Sequence, residues 1–144
     1  MAFLWITGGK SGELTFYVAT NGNDSWSGNL SEPNKAGTDG PFATLTRVRD
    51  EVREVVSQNL TEDIRVLIRE GTYYLPDGLI LGSEDSGTEE HSITYSACPA
   101  EEVNLVGGVR LSGWTSYEDE IWQAPIPAEV DPVQLFENGQ RMEL

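Results

Sequence analysis

Hydrophobic and polar positions follow two different periods along this chain, and the switches between them lay out its elements. Phe16-Tyr17-Val18-Ala19 is aromatic and β-branched, which predicts a short strand. It runs into Asn21-Gly22-Asn23-Asp24, residues that tolerate left-handed and turn conformations, and Ser25 to Gly40 then reads as a loop. From Thr44 the period changes. Leu45, Val48, Val52, Val55 and Val56 form one stripe of a 3.6-residue helix. Thr44 fits an N-cap, although no Glu stands three residues on to complete a capping box. Arg47, Arg49, Asp50, Glu51, Arg53 and Glu54 fall on the wet side, where Glu51 and Glu54 can each pair with an Arg on the neighbouring turn.

Beyond Asn59 the period returns to two. Ile64, Val66 and Ile68 alternate with Arg65, Leu67 and Arg69, a strand with one consistently apolar face. Short apolar bursts follow at Tyr73 and Leu75, at Leu79-Ile80-Leu81 after Pro76-Asp77-Gly78, and at Ile93-Thr94-Tyr95 after an acidic loop from Gly82 to Glu90. Two more occur at Val103-Asn104-Leu105-Val106 and Val109-Arg110-Leu111. Similar bursts recur at the spacing from Val66 to Ile93, about the size of one solenoid coil. Hairpin signals every 8–12 residues, as a sandwich would give, are missing between Ile64 and Trp114. Asn138-Gly139 between two strand-like segments predicts a hairpin. Its second strand stops abruptly at Leu144, which reads as a cut.

Composition narrows the classes. The 144 residues suffice for one domain that buries roughly 68–70% of its unfolded surface. A hydrophobic share of 38% with 15 Gly and 7 Pro suits an all-β chain of short strands. Nine basic against 24 acidic residues give a net charge of −15, which repels phosphate backbones and anionic membranes and excludes nucleic acid as an expected partner. Cys98, the single cysteine, allows no internal disulfide and ends an apolar run, so it reads as a small buried hydrophobe. With His91 the single histidine, there is no Cys/His metal spacing, and no metal site is expected. No run approaches the ~18 apolar residues of a membrane span, so no membrane insertion is expected. Met1 to Ile6 lacks the basic flank of a signal peptide. The sequons at Asn23, Asn29 and Asn59 fit chance in a chain rich in these residue types.

Several stretches, in order, resemble a known family. They are Tyr17-Val18 with Asn21-Gly22-Asn23-Asp24, Gly40-Pro41-Phe42-Ala43-Thr44-Leu45, and Gly71-Thr72-Tyr73-Tyr74-Leu75. Asp85-Ser86-Gly87-Thr88, Ile93-Thr94-Tyr95, Gly107-Gly108 with Trp114, and Leu135-Phe136 with Asn138-Gly139 and Arg141 continue the series. Together they resemble the leader of pectin-lyase-like right-handed parallel β-helix proteins, nearest the entry region of bacterial glycoside hydrolases such as those that include fucosidases and xylanases. Polysaccharide lyases share this start less closely. One departure is Ala100, where the family often has Gly in the turn after Pro99. The resemblance implies an all-β fold: the start of a right-handed parallel β-helix, a solenoid with one N-terminal capping α-helix, truncated at its far end. Residues 1–62 would be leader strand, loop and capping helix, 63–115 the first coils, and 116–144 the start of a hairpin or insert region.

The resemblance also implies that catalytic carboxylates, and any calcium site, lie on later coils, so no catalytic residue is assigned and no cofactor is expected here. Glu84, Asp85, Glu89 and Glu90 offer paired carboxylates of the kind glycoside hydrolysis uses, but a solvated turn accounts for them, as a surface histidine accounts for His91. Trp26, Trp114, Trp122, Tyr73 and Tyr74 could stack on sugar rings. Packing accounts for Trp114 and Trp122, whereas Trp26 lies in a polar loop and is the expected substrate-binding residue. The function expected is the N-terminal structural segment of a polysaccharide-active β-helix enzyme, glycoside hydrolase before polysaccharide lyase, with the segment alone inactive. The alternatives are a non-catalytic β-helix adhesin or surface protein and a small carbohydrate-binding module. The expected partner is a poly- or oligosaccharide, and the expected location is secreted, periplasmic or cell-surface. Open coil edges would also favour self-association that strengthens as salt screens the charge.

Overall fold

Alternation over Glu13–Val18 (β1) and Asp63–Ile68 (β2) points Phe16, Val18, Ile64, Val66 and Ile68 to one side, and all five are buried. The structure, a computed structural model, describes residues 12–128, 130 and 134–142. The reading of Met1 to Ile6 falls outside them. Two compact units divide at Gly108/Val109.

In the first unit, β1, β2 and β4 (Ile93–Ala97) form a parallel sheet in the order β1-β2-β4. Residues stack in register: Leu14, Ile64 and Ile93; Phe16, Val66 and Tyr95; Val18, Ile68 and Ala97. A second parallel sheet pairs β3 (Gly71–Tyr74) with β5 (Val103–Val106), setting Tyr73 against Leu105. The chain thus passes from the first sheet to the second twice, β2 to β3 and then β4 to β5. The pairing places Ile93 on Ile64, not on Val66, so the repeat is two residues longer than the sequence spacing suggests. Leu79-Ile80-Leu81 forms no strand, and Ile80 and Leu81 are exposed.

Helix α1 spans Leu45–Ser57, and Thr44 caps it by accepting from the Arg47 amide at 3.1 Å. Asp24 holds that cap from the loop. Its Oδ1 accepts from the Ala43 and Thr44 amides at 2.8 and 2.9 Å, while the Thr44 hydroxyl donates to its Oδ2 at 2.8 Å. Leu45, Val48 and Val52 are buried with Phe16, Val18, Phe42, Ile64 and Val66, and Val55 and Val56 pack at the margin. Each fully buried side chain of this kind contributes roughly 1.5–3 kcal/mol before entropy. Phe42 lies over Gly28, which has φ +74 and no room for a Cβ beneath the ring, and Arg47 sits 4.7 Å above the ring's centroid. Of the two helix carboxylates expected to pair on neighbouring turns, Glu51 does, with Arg47 at 2.7 Å. Arg53 instead reaches the acidic loop.

Two cations tie the corners. Arg69, at the end of β2, donates to Glu101 at 2.9 Å, to Glu32 at 2.5 Å and to the Ser31 carbonyl at 2.6 Å. It therefore joins the long loop, the β2–β3 corner and the β4–β5 corner. In that last corner Ala100 adopts φ +65, the left-handed conformation that Gly takes without steric cost. Cys98 beside it is buried, and burial raises its thiol pKa.

The second unit holds two antiparallel hairpins. Asn138 and Gly139, at φ 51 and 77, connect β8 (Phe136–Glu137) to β9 (Gln140–Arg141), the two-residue turn expected from Asn-Gly. The other hairpin, β6 (Thr115–Glu118) with β7 (Ile121–Gln123), has no glycine in its turn and carries a bulge at Tyr117.

Two stability predictions follow from these contacts. Val52→Asp buries an uncompensated charge and should cost roughly 3–5 kcal/mol. A melting temperature unchanged from wild type would show that the helix face is not packed as described. Ala100→Gly relieves the left-handed Cβ penalty and should raise stability by about 1 kcal/mol in denaturant titration. A loss of stability would contradict the turn geometry.

Candidate functional site

Strand β3 has one partner, β5, among the described residues. The Gly71 amide donates to the Glu102 carbonyl at 3.0 Å and the Leu75 amide to the Val106 carbonyl at 2.8 Å. Alternation therefore turns the amides and carbonyls of Thr72 and Tyr74 to the opposite edge, where the amides meet no acceptor among the described residues. Across from that edge stand Thr20, just past β1, and the start of α1 at Thr44 to Thr46. Between them lies a groove of about 370 Å³, within the roughly 300–1,000 Å³ of small-molecule sites.

The lining has two characters. Leu45 and Leu75 give an apolar floor, while Thr20, Thr46 and Thr72 present hydroxyls that have no partner among the described residues. Thr44 also lines it, but its hydroxyl is committed to the cap. Tyr74 is 41% exposed. Among the described residues, no Asp, Glu, Lys, Arg or His lines the groove. Tyr73 also borders the groove, but it belongs to the core. It is buried, its hydroxyl donates to the Arg69 carbonyl at 2.9 Å, and burial pushes its pKa up to about 12. Of the two adjacent tyrosines, Tyr74 is the exposed one.

Trp26 is half-buried. Its indole lies against Gly40, where an added Cβ would come within 2.6 Å of the ring. The tryptophans read from sequence as packed are open: Trp114 is 47% and Trp122 61% exposed, both in the second unit.

The acidic loop divides by residue. Glu84, Glu89 and Glu90 are exposed, but Asp85 is not part of a solvated turn, because its side chain keeps only 3% exposure. Arg53 donates to both its oxygens at 2.8 Å, and the Gly82 amide donates at 2.6 Å. The Arg53 guanidinium, chiefly, holds the Asp85 carboxyl below its ordinary range. With three hydrogen bonds this carboxylate ties the loop to α1. His91 is half-buried, and its amide donates to the Thr88 hydroxyl at 3.0 Å. The Tyr95 hydroxyl is buried without a partner among the described residues, and burial pushes it up to about 12.

Sequence reasoning passed over the threonines of the groove. One signal was present: with Tyr73 on the inner face, strand alternation places Thr72 and Tyr74 outside.

No family model matches this chain, and no curated protein matches it. Among solved structures the chain is similar to one titled "Glycoside hydrolase", with a TM-score of 0.70 and 28% sequence identity. The match covers 89% of this chain and 21% of that one, so the chain spans about a fifth of the length of the structure it resembles.

The Asp85 pair gives a pH prediction. A carboxyl lowered in the native state contributes stability that is complete above its ordinary pKa near 3.8 and is lost as pH falls through the lower native value. Asp85→Asn should therefore melt lower than wild type at neutral pH and lose less of its melting temperature on acidification below about pH 4. Parallel melting curves across that range would contradict the pairing.

Proposed function

We propose that this chain is the N-terminal segment of a polysaccharide-active enzyme built on a right-handed parallel β-helix, a glycoside hydrolase in preference to a polysaccharide lyase. The observation that carries the proposal is the in-register parallel stacking of β1, β2 and β4 and of β3 and β5, in a chain similar over 89% of its length to a solved glycoside hydrolase. Successive passes through two parallel sheets are what coils of such a helix require. On this reading α1 covers the first coil, so that its apolar interior is not open to water. The segment's part is structural: it closes one end of the solenoid and leaves the chemistry to carboxylates elsewhere in the enzyme.

The test compares this chain with the longer protein encoded by its reading frame. The longer protein should release reducing sugar from at least one polysaccharide in a broad panel, and the 144-residue chain alone should release none. Unsaturated uronic-acid products would make it a lyase. Cleavage by the 144-residue chain itself, or none by the longer protein on any glycan, would overturn the proposal.

A further inference from the structure

We infer that the groove between β3 and the start of α1 is a binding subsite for a neutral oligosaccharide, an inference that rests on the carbohydrate-active reading above. Three features of the groove select that ligand class. The edge of β3, unpaired among the described residues, offers the amides and carbonyls of Thr72 and Tyr74, and Thr20, Thr46 and Thr72 stand around it. Donors and acceptors are thus mixed in one small space, as the hydroxyls of a sugar require. The exposed Tyr74 ring supplies an aromatic surface against which the C–H face of a pyranose can lie.

Charge decides between glycans. In a chain of net charge −15, no charged side chain lines this groove among the described residues. A polyuronate would enter a negative field with no Arg or Lys among the described lining residues to receive its carboxylates. A neutral sugar loses nothing there. An extended peptide could also add to the β3 edge, but the hydroxyl lining gives its alternate side chains no apolar pockets apart from the floor at Leu45 and Leu75.

The experiment titrates the isotope-labelled 144-residue chain with neutral xylo-, manno-, galacto- and cello-oligosaccharides, with oligogalacturonate, and with an extended Val/Thr peptide, following amide shifts. At least one neutral oligosaccharide should move the Thr46, Thr72 and Tyr74 amides, and oligogalacturonate and the peptide should not. Tyr74→Ala should weaken that binding by about 10-fold, while Tyr74→Phe, which keeps the ring, should stay within about 3-fold. Tyr74 is exposed, so its truncation leaves the core intact. Thr46→Arg, at an exposed helix position, blocks the groove independently and should abolish the shifts. The inference is overturned if oligogalacturonate or the peptide binds the groove as well as the neutral sugars. Shifts confined to Trp114 and Trp122, or none with any glycan, would overturn it equally. Cleavage by the longer protein is a separate readout, so the groove can fail while the enzyme reading stands.

Discussion

The whole first unit depends on residues of like shape landing on one another in successive strands. Phe16, Val66 and Tyr95 form one inward ladder, and Leu14, Ile64 and Ile93 another. Parallel pairing imposes this, because a one-residue slip would turn every apolar side chain of a strand outward. The loops are then free to differ. Between β1 and β2 the chain inserts the long polar loop and α1, whereas between β2 and β4 it inserts β3 and the acidic loop. The register tolerates both because apolar stacking, not connection length, sets where each strand lies.

Holding such unequal connections in place falls to a few cations. The chain has nine basic residues against 24 acidic ones, and the helix and corner arginines are used as ties. Arg69 binds two corners and a loop, and Arg53 binds the acidic loop to α1. Arg65 pairs with Glu13 across the outer face of β1 and β2 at 2.8 Å. An isolated exposed pair of this kind contributes little. A bidentate pair with a carboxylate at 3% exposure is different, because either partner left alone would keep a costly charge. The acidic excess therefore remains on the surface, where water solvates it.

Local signals were legible wherever one residue type settles the geometry. The 3.6-residue stripe and Thr44 located α1 to within a residue of its observed end, the alternation from Ile64 to Ile68 located β2, and Asn138-Gly139 located the last hairpin. The β6–β7 hairpin was not legible. Its turn runs through Asp119, at φ 43, with no glycine to announce it. Leu79-Ile80-Leu81 looked like a strand because hydrophobicity alone cannot tell a strand from a covering loop; Leu79 packs on the core while its two neighbours face water. Long-range pairs such as Arg53–Asp85 leave no local mark, since thirty-odd residues separate partners that only the fold brings together. The groove was half-legible. Strand alternation exposes Tyr74, but the β3 edge is unpaired among the described residues because none of them adds a strand to the second sheet at the level of β1.

The unequal sheets link the fold to the groove. Among the described residues the first sheet has three strands and the second has two, and Thr20 and the start of α1 stand across from the β3 edge. A strand there would have satisfied the Thr72 and Tyr74 amides and filled the space. A helix end cannot do so, because its own first amides need acceptors; Asp24 serves that of Thr44 and the Thr44 hydroxyl that of Arg47. Among the described residues the edge of β3 faces an uncharged gap. Exposed sheet edges are commonly protected by charge, and the described lining of this one has none despite the acidity of the chain. The start of α1 instead stands across the edge and bounds a space of about 370 Å³.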